Sequence, residues 1–292
     1  MAEAAELQRD LLKAQNVDGG WGYQSGSSWT EPTALALLAL RAQQIKGSAY
    51  ERACTWLRRK QRVDGGWPPQ PSVDTSTWVT SLVLLSLPET HLPSGDYQRG
   101  VEWSIRQIRP ELTGLERLIS RMQGSPHTEE ISGGSPWFPG TAAWIGPTVI
   151  SVLALSEAVR RKSDEKLRAR INRGKQYILS RRCDDGGWNH GGTSFRSQNA
   201  ESYPEMTGIA LLALHDTPAS DLSVSIARAE HFLLSPTSIE ALSWLQMGLL
   251  VHGRDRLSVR TDLPCRTTRD TCLRLLALTA HSSNNKLLIQ NC

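Results

Sequence analysis

The stretch Asp18-Gly19-Gly20-Trp21 decides the fold, because it recurs along the chain. It returns as Asp64-Gly65-Gly66-Trp67 and as Asp185-Gly186-Gly187-Trp188, and a looser version, Gly133-Gly134-Ser135-Pro136-Trp137, lies between these two. Such self-similarity is typical of repeat proteins, in which each unit is one supersecondary element and stacked neighbours share a core. The sequence therefore predicts a chain built from helical repeats.

A helix of small and branched apolar residues is predicted after each copy of this stretch. The four segments share a threonine at their first position and begin at Thr33, Thr80, Thr148 and Thr207. They are apolar nearly all round, which predicts that they are buried on most sides. Two further helices of this kind fit Ile239–Val251 and residues 268–280, giving six inner helices in all.

The segments before the Gly-Gly pairs have a different pattern. Residues 51–61 and 170–182 carry apolar side chains on one stripe and Arg or Lys elsewhere, as expected of an outer layer. Alternating outer amphipathic and inner apolar helices predict an all-α fold, an α/α toroid with two concentric layers.

The Gly-Gly-Trp connectors have an expected structural role. The glycine pair is expected to end each outer helix, since glycine tolerates the left-handed conformation that helix ends often need. The tryptophan is then expected to pack between neighbouring repeats, which explains why Trp (10) outnumbers Tyr (5) and Phe (3).

The chain reads as one domain over residues 1–292, because no Gly/Ser tract or charge block separates two halves. A formal net charge of +4 is too small to favour nucleic acid as a partner. Residues 1–6 lack the apolar stretch of a signal peptide, and no apolar run is long enough to span a bilayer. Together with five cysteines in no framework spacing, these features favour a cytoplasmic protein with reduced thiols.

Residues 52–61, continuing to Gly65 and Trp67, resemble the QW motif of squalene-hopene and oxidosqualene cyclases. Trp56 stands at the aromatic position of that motif and Gln61 at its glutamine. Two less complete copies comprise Arg173-Gly174, Tyr177-Ile178, Arg182 (at the glutamine position), Gly186 and Trp188, and then Gln15, Gly19 and Trp21.

The resemblance covers residues 15–214 and implies the α/α toroid superfamily of terpene cyclases and protein prenyltransferases, in particular the squalene-hopene cyclase C-terminal domain. It implies an isoprenoid or other apolar small molecule bound in a central cavity, and acid-initiated cyclisation or isomerisation of a polyprenyl substrate. In that family the acid is the middle Asp of an Asp-x-Asp-Asp run before an inner threonine. This run is absent here, and the corresponding positions hold Glu31, Trp78, Gly146 and Glu205.

Three carboxylates are candidates for the acid. Glu31 and Glu205 occupy the same repeat position and are expected at the mouth end of inner helices, facing the cavity, with Glu205 the better candidate. A glutamate in the first turn of a helix is also favoured by the helix dipole without any function. Asp74 is similar to a worn copy of the acidic run but lies several residues too early, where an N-cap or turn role is the alternative.

Four aromatic residues precede their inner helices in equivalent or near-equivalent positions and predict a collar around one end of the barrel. They are Trp29, Trp78, Trp144 and Tyr203. In an enzyme this collar binds the polyprene chain, since aromatic faces stabilise positive charge; otherwise it fills space between loops.

No cofactor and no metal are expected, because protonation requires neither, although a diphosphate-bearing substrate would bring magnesium. Asp270-Thr271-Cys272 has the Asp–Cys spacing of the protein prenyltransferase zinc site, but the only histidine after it, His281, is too near in sequence to be the distant ligand. Cys183-Asp184 with His190 carries the residue types of zinc ligands, but its spacing fits no tetrahedral site.

Two other functions stay open at this point. The missing acidic run favours a non-catalytic toroid that presents its mouth to a lipid or protein partner. An α/α glycosidase would need two opposed carboxylates at catalytic separation, and the QW spacing disfavours it. The sequence leaves peripheral membrane contact and oligomeric state undetermined.

Overall fold

The chain is an array of α-helices joined by short loops. The computed structural model describes residues 2–93, 95–107, 133–191, 194–195, 198–235, 238–254 and 263–282. Within these ranges it has eleven α-helices: α1 Ala2–Lys13, α2 Thr30–Ala42, α3 Ser48–Arg59, α4 Val79–Ser86, α5 Asp96–Arg106, α6 Ile145–Arg161, α7 Glu165–Ser180, α8 Pro204–Ala213, α9 Ser223–Phe232, α10 Ile239–Val251 and α11 Thr268–Ser282.

Extended structure is confined to short pairs. Ser135–Pro136 (β1) pairs antiparallel with Ala143–Trp144 (β2), and Ser194–Phe195 (β3) pairs antiparallel with Gln198–Asn199 (β4). A 3₁₀ turn covers Glu89–His91. Across the ranges that the structure describes, no helix has both the length and the apolarity needed to cross a membrane.

Six helices form a closed inner ring. In order around the ring they are α2, α4, α6, α8, α10 and α11, and α11 packs back against α2. The outer helices α3, α5 and α7 pack on α2, α4 and α6, α9 packs on α8 and α10, and α1 packs on α11. The predicted all-α toroid with six inner helices in two layers is confirmed.

A buried tryptophan connects the layers in three repeats. The indole Nε1 of Trp21, Trp67 and Trp188 donates to the carbonyls of Leu11, Leu57 and Ile178 at 2.7–2.8 Å. The backbone N–H of the same tryptophans donates to the hydroxyls of Thr33, Thr80 and Thr207 at 2.8–3.0 Å. All three indoles are fully buried. Each tryptophan therefore connects its outer helix to its inner helix.

The connector aspartate holds the next repeat in place. Asp18 accepts hydrogen bonds from the Gly20 N–H, from the Ser28 hydroxyl and from the Trp56 indole of the next outer helix. Asp64 accepts the same three kinds of bond, the last from Trp103. These contacts between repeats are made by Trp56 and Trp103 on outer helices, which are not the connector tryptophans that were predicted to pack there.

The inner threonines do not begin their helices as predicted. α2, α6 and α8 begin three residues before Thr33, Thr148 and Thr207. Prolines within the first turn permit this, because the first helical N–H groups need no intrahelical partner. The threonine lies one turn inside the helix because its hydroxyl binds the connector's backbone there.

The glycine pairs differ from prediction in one respect. Gly19, Gly65 and Gly186 have φ of 96°, 94° and 89°, the left-handed conformation that was expected. The outer helices, however, end several residues earlier, so the glycine belongs to a separate turn and does not terminate the helix. A Cβ on Gly65 would also lie 2.6 Å from the Arg99 carbonyl oxygen of the next outer helix. Both the backbone conformation and the lack of space therefore require glycine at this position.

Three of the inner helices are buried along most of their length. Every residue of α4 is buried, as are nine consecutive residues of α2 and the stretch 206–213 of α8. A run that long covers all faces of a helix, including the face toward the ring axis. Along these helices no face borders an open lumen, so the expected central cavity is not found in this part of the structure.

Two glycines bring α8 and α10 into direct backbone contact. A Cβ on Gly208 would lie 2.5 Å from the backbone nitrogen of Leu245, and a Cβ on Gly248 would collide with the Gly208 carbonyl. Small residues at a crossing allow two backbones this close. This contact narrows the ring on one side.

Replacing Trp67 with Phe tests the layer connection. The variant removes one of the two donors to the Leu57 carbonyl, which keeps the Lys60 N–H, and it shrinks a fully buried side chain, so we expect a loss of about 1–3 kcal/mol in the free energy of unfolding. Urea denaturation measures it. Trp144→Phe is the control, because Trp144 is 39% exposed, and an equal loss in both variants would contradict the connection.

Replacing Gly208 with Ala tests the helix crossing. The added methyl meets backbone atoms that cannot move aside, so we expect a loss of about 3 kcal/mol, visible as a lower thermal midpoint. The matched control is Gly47→Ala, where no atom lies within 4 Å. An unchanged midpoint for Gly208→Ala would disprove the close contact.

Candidate active site at the mouth of the ring

The mouth of the ring is the end at which the inner helices begin. Four of these helices place a charged residue at their second position: Glu31 on α2, Glu205 on α8, Glu240 on α10 and Arg269 on α11. These four helices are consecutive in the ring. The mouth therefore has a charged side, formed by α8, α10, α11 and α2.

One guanidinium joins two carboxylates on the charged side. Arg269 Nε lies 3.1 Å from a Glu31 oxygen, and its Nη atoms lie 2.6 and 2.9 Å from the two oxygens of Glu240. The Tyr23 hydroxyl donates a hydrogen bond to the other oxygen of Glu31. The Thr268 N–H donates to the Tyr23 carbonyl at 2.8 Å, which fixes this loop against α11.

The electrostatics single out Glu240. Burial raises the pKa of the Glu240 carboxyl, and the negative charges of Glu205, Glu31 and Asp270 raise it further against the opposing effect of Arg269. Burial and the Glu31 charge also raise the pKa of Tyr23, so its hydroxyl stays a hydrogen-bond donor. Burial would lower the pKa of Arg269, but the surrounding carboxylates outweigh it and the net direction is upward. The Glu240 carboxyl therefore takes up a proton more readily than an ordinary glutamate does.

A buried donor lies beneath Glu240. Trp244, one helical turn further along α10, is 5% exposed, and its indole N–H has no hydrogen-bond partner among the described residues. Helical side chains lean toward the N-terminus of their helix, so the Trp244 indole leans toward the turn that carries Glu240.

Aromatic side chains form the rest of the mouth, in front of α4, α6 and α8. Trp78 contacts Trp137 edge to face, with ring centroids 4.8 Å apart. His190 lies between Trp144 and Tyr203, at 6.2 and 5.4 Å from their centroids.

Backbone bonds join the aromatic loops of successive repeats. The Trp78 N–H donates to the Trp137 carbonyl at 3.3 Å, and the Ile145 N–H donates to the His190 carbonyl at 3.1 Å. Trp144 and Tyr203 stay 39% and 43% exposed. The mouth therefore offers apolar aromatic surface beside its charged side.

The structure separates the three carboxylates proposed from the sequence. Glu31 and Glu205 lie at the mouth, within the electrostatic range of Glu240. Asp74 is 94% exposed at its side chain and pairs with Arg62. A solvated carboxylate with an ion-pair partner is not the dry, protonated acid that this chemistry requires, so the geometry does not favour Asp74.

Glu240, Arg269 and Tyr23 were not among the site residues predicted from the sequence. α10 and α11 follow no Gly-Gly-Trp connector, so alignment on the inner threonine gave no position for them. A usable signal was Ser238, whose hydroxyl accepts from the Ala241 N–H and caps α10. Counting from that cap would have placed Glu240 level with Glu31 and Glu205. The described residues contain no group of three His, Cys, Asp or Glu side chains arranged to hold a metal.

Two proteins of known name are similar to this chain in sequence. Drimenyl diphosphate synthase of Streptantibioticus cattleyicolor is 42% identical over 68 residues, which are 23% of this chain and 13% of the relative. Protostadienol synthase A of Arthroderma gypseum is 30% identical over 117 residues, 35% of this chain and 16% of the relative. These alignments span a small part of each relative's length. No protein-family model matches the chain.

Solved structures share the fold at low identity. ent-Copalyl diphosphate synthase from Streptomyces platensis superimposes with a TM-score of 0.58 at 16% identity, over 87% of this chain and 50% of that one. The type II terpene cyclase MstE from Scytonema gives 0.52 at 16% identity, over 98% and 80%. A family 76 glycoside hydrolase from Bacteroides thetaiotaomicron gives 0.64 at 11% identity, over 97% and 99%.

Structural likeness at this identity shows the fold alone, and terpene cyclases and glycosidases both have it. The two sequence relatives, by contrast, are both named as terpene synthases. The chain is therefore similar over short stretches to two terpene synthases, and it shares the α/α toroid fold with terpene cyclases and glycosidases.

Proposed function

We propose that this protein binds an isoprenoid across its mouth and cyclises or isomerises it by acid initiation, with Glu240 as the proton donor. The observation that carries the proposal is the arrangement in which Glu31 and Glu240 share one guanidinium. Partly buried like charges repel each other, and the raised pKa of Glu240 makes it our candidate for the proton that relieves this repulsion. The cyclase-type role agrees with the names of the two sequence relatives, and the mechanism and its residues are proposed from the structure.

The residues have different parts in this mechanism. Glu31 accepts a hydrogen bond from the Tyr23 hydroxyl and lies 3.1 Å from Arg269 Nε, so it holds both groups beside Glu240. Glu205 contributes negative charge that helps to keep Glu240 protonated. Glu205 and Glu31 thus support the acid and are not themselves the donor.

The reaction consumes no proton overall, because one is given to the substrate and one is returned. Glu240 gives its proton to one carbon of a double bond, and the carbocation forms on the other carbon. After cyclisation or shift of the double bond, a neighbouring C–H loses a proton, which restores the acid. Aromatic faces stabilise the cation in transit, and Trp29, Trp78, Trp144 and Tyr203 are proposed to supply them.

Burial of the inner helices directs the proposed substrate to the mouth. Because α2, α4 and α8 are buried along most of their length, the prenyl chain is proposed to lie on the partly exposed rings of Trp144 and Tyr203. The related cyclase from Scytonema was solved with geranylgeranyl dihydroxybenzoate as its substrate, and a chain of that kind is the ligand class proposed here. A cytoplasmic location remains a prediction of the sequence.

A non-catalytic toroid is the second candidate, and the same burial favours it. Cyclisation requires room for a folded substrate, and pockets that bury most of a ligand are the rule for small-molecule sites. Such a protein would bind the isoprenoid at the mouth and release it unchanged.

A glycosidase is the least favoured function. Glycoside hydrolysis needs two carboxyl groups on either side of a sugar, with the substrate between them. Here Arg269 occupies the space between Glu31 and Glu240 and bonds to both.

The direct test is turnover by Glu240→Gln. Glutamine keeps the size of the side chain and a hydrogen bond to Arg269 but has no acidic proton. We expect product formation from polyprenols, squalene or polyprenyl diphosphates to fall about 100-fold or more, measured by mass spectrometry. Asp74→Asn is the matched control and should stay at the wild-type rate. Full activity in Glu240→Gln would rule out the proposed acid, and bound but unchanged ligand in the wild type would favour the non-catalytic toroid.

The pH dependence of the rate tests the electrostatics. A carboxyl with a raised pKa is protonated below that pKa, so the rate should be highest at low pH and fall as pH rises through it. In Glu205→Gln one neighbouring negative charge is lost, the pKa of Glu240 falls, and the decline should move to lower pH. Identical pH profiles in the two proteins would show that the charge of Glu205 does not influence the pKa of Glu240.

A further inference from the structure

We propose that the ion pair between Glu3 of α1 and Arg274 of α11 is a latch that holds Arg269 in place at the mouth. Glu3 and Arg274 are then positioning residues, which act on the candidate site through α11 and touch no substrate. The inference rests on the proposed function only for its effect on the reaction rate, because the position of α11 can be measured without turnover.

Arg274 is a buried cation at the meeting point of three helices. It is 4% exposed on α11, and its Nε and Nη2 donate to the two carboxylate oxygens of Glu3 at 2.6 and 3.1 Å. Its Nη1 donates to the side-chain oxygen of Gln246 on α10 at 3.0 Å. A guanidinium that bonds both oxygens of one carboxylate fixes direction as well as distance, which apolar packing does not. The pair therefore sets the register of α11 against α1 and α10.

Glu3 provides the negative charge that Arg274 needs. Among the described residues, Glu3 is the carboxylate bonded to Arg274, and Gln246 is neutral. The Cys265 thiol lies within electrostatic range of both charges, but burial raises its pKa to about 11, so it is neutral as well. Removal of one partner from such a pair leaves a buried charge uncompensated, which is strongly unfavourable. α11 is therefore held most firmly when α1 is docked on it.

Elsewhere in the ring, a connector glutamine holds the first turn of the next outer helix. The Gln15 amide donates to the Ala49 carbonyl of α3, and the Gln61 amide donates to the Asp96 carbonyl of α5, both at 2.8 Å. These two glutamines precede α2 and α4. Each of the two bonds thus joins one repeat to the outer helix of the following one.

The joint between α11 and α1 has no such glutamine connector, since no Gly-Gly-Trp stretch precedes α11. Leu11 of α1 corresponds to Leu57 of α3, because each accepts the indole bond of its connector tryptophan. Counting back the same number of residues from each leucine aligns Glu3 with Ala49. The Glu3–Arg274 pair therefore lies where other repeats have a connector contact, and it closes the ring at the joint between its last and first helices.

α11 carries both the latch and a residue of the candidate site. Arg269 is its second residue, and Arg274 lies about 7 Å further along the same helix. The backbone bonds of a helix are internal, so a segment this short moves as one body. Arg269 lies 2.6–3.1 Å from the oxygens of Glu240 and Glu31, and hydrogen bonds of that length do not survive a shift of 1 Å. Movement of α11 at the latch therefore disrupts the charged side of the mouth.

A purely structural pair is the competing interpretation, and the ionisation of Glu240 distinguishes the two. Burial and the charges of Glu205, Glu31 and Asp270 raise the pKa of Glu240, whereas Arg269 lowers it. If α11 shifts and Arg269 moves away, the pKa of Glu240 rises further. A structural pair would leave that pKa where it is.

The experiment compares Glu3→Ala with Glu6→Ala in the full chain. Glu6 is exposed on the same helix, so its variant controls for the loss of one carboxylate. In Glu3→Ala, hydrogen–deuterium exchange of α1 and α11 should be at least about 10-fold faster, with α4 as the unchanged reference. The carbon-13 NMR titration midpoint of the Glu240 carboxyl should move upward by about one pH unit. Glu6→Ala should match the wild type in both measurements.

The direction of the midpoint excludes a simple charge effect. Loss of the negative charge of Glu3 by itself would lower the midpoint of Glu240, so a rise reports the displacement of Arg269. Glu3→Gln keeps a hydrogen bond to Arg274 and is the milder variant if Glu3→Ala does not fold; its midpoint should also rise. Faster exchange of α11 with an unchanged or lowered midpoint would reduce the pair to a structural role and overturn the inference.

The exchanged pair, Glu3→Arg with Arg274→Glu, separates the latch from the end of α1. A cation in the first turn of α1 is disfavoured by the helix dipole, but the bonds between α1 and α11 are restored. We expect the exchange rates and the Glu240 midpoint to return toward wild-type values. Failure to recover either one would assign the effect of Glu3→Ala to the helix end and contradict the latch.

Activity separates this inference from the proposed function. A raised Glu240 midpoint in Glu3→Ala, with no product from any substrate in the wild type, would keep the latch and remove the acid mechanism. If the wild type turns over, the decline of its rate should move to higher pH in Glu3→Ala, opposite to Glu205→Gln. A wild-type pH profile together with an unchanged midpoint would remove the latch and leave the mechanism.

Discussion

The indole N–H of a connector tryptophan bonded to the end of its outer helix is the interaction on which the rest of this structure depends. Trp67 illustrates the point: its side chain donates to Leu57 on the outer layer, and its backbone N–H donates to Thr80 on the inner layer. Neither layer could bury its apolar face alone. The tryptophan fixes the distance between them, and the adjoining aspartate binds the next outer helix, so the repeats assemble in one register.

That register determines the chemistry of the mouth. Inner helices held at the same height present their first turns to a common opening, where the helix dipoles stabilise carboxylates. Three glutamates and one arginine then come together from helices distant in sequence, as the Arg269–Glu31 ion pair shows. Because the described residues of α2, α4 and α8 are buried along most of their length, the proposed reaction is assigned to this opening.

The sequence was sufficient for the fold and for part of the site. Recurrent Asp-Gly-Gly-Trp and all-round apolar helices predicted both layers and six inner helices, because repeat spacing is local information. The alignment on inner threonines found Glu31 and Glu205 for the same reason. It failed for Glu240 and Arg269, whose helices lack the connector, and it could not show that α2, α4 and α8 border no open lumen. The pKa of Glu240 and its shared guanidinium depend on distances between helices, which no local pattern encodes.

The central claim, that Glu240 starts a reaction by protonating carbon, is tested most directly by turnover in D₂O. The exchangeable carboxyl proton is then a deuteron, and a proton bound to carbon leaves at the end. Each product molecule should therefore carry one deuterium at the carbon that was protonated, located by mass spectrometry and NMR. Product formed in D₂O without deuterium on carbon would contradict the account.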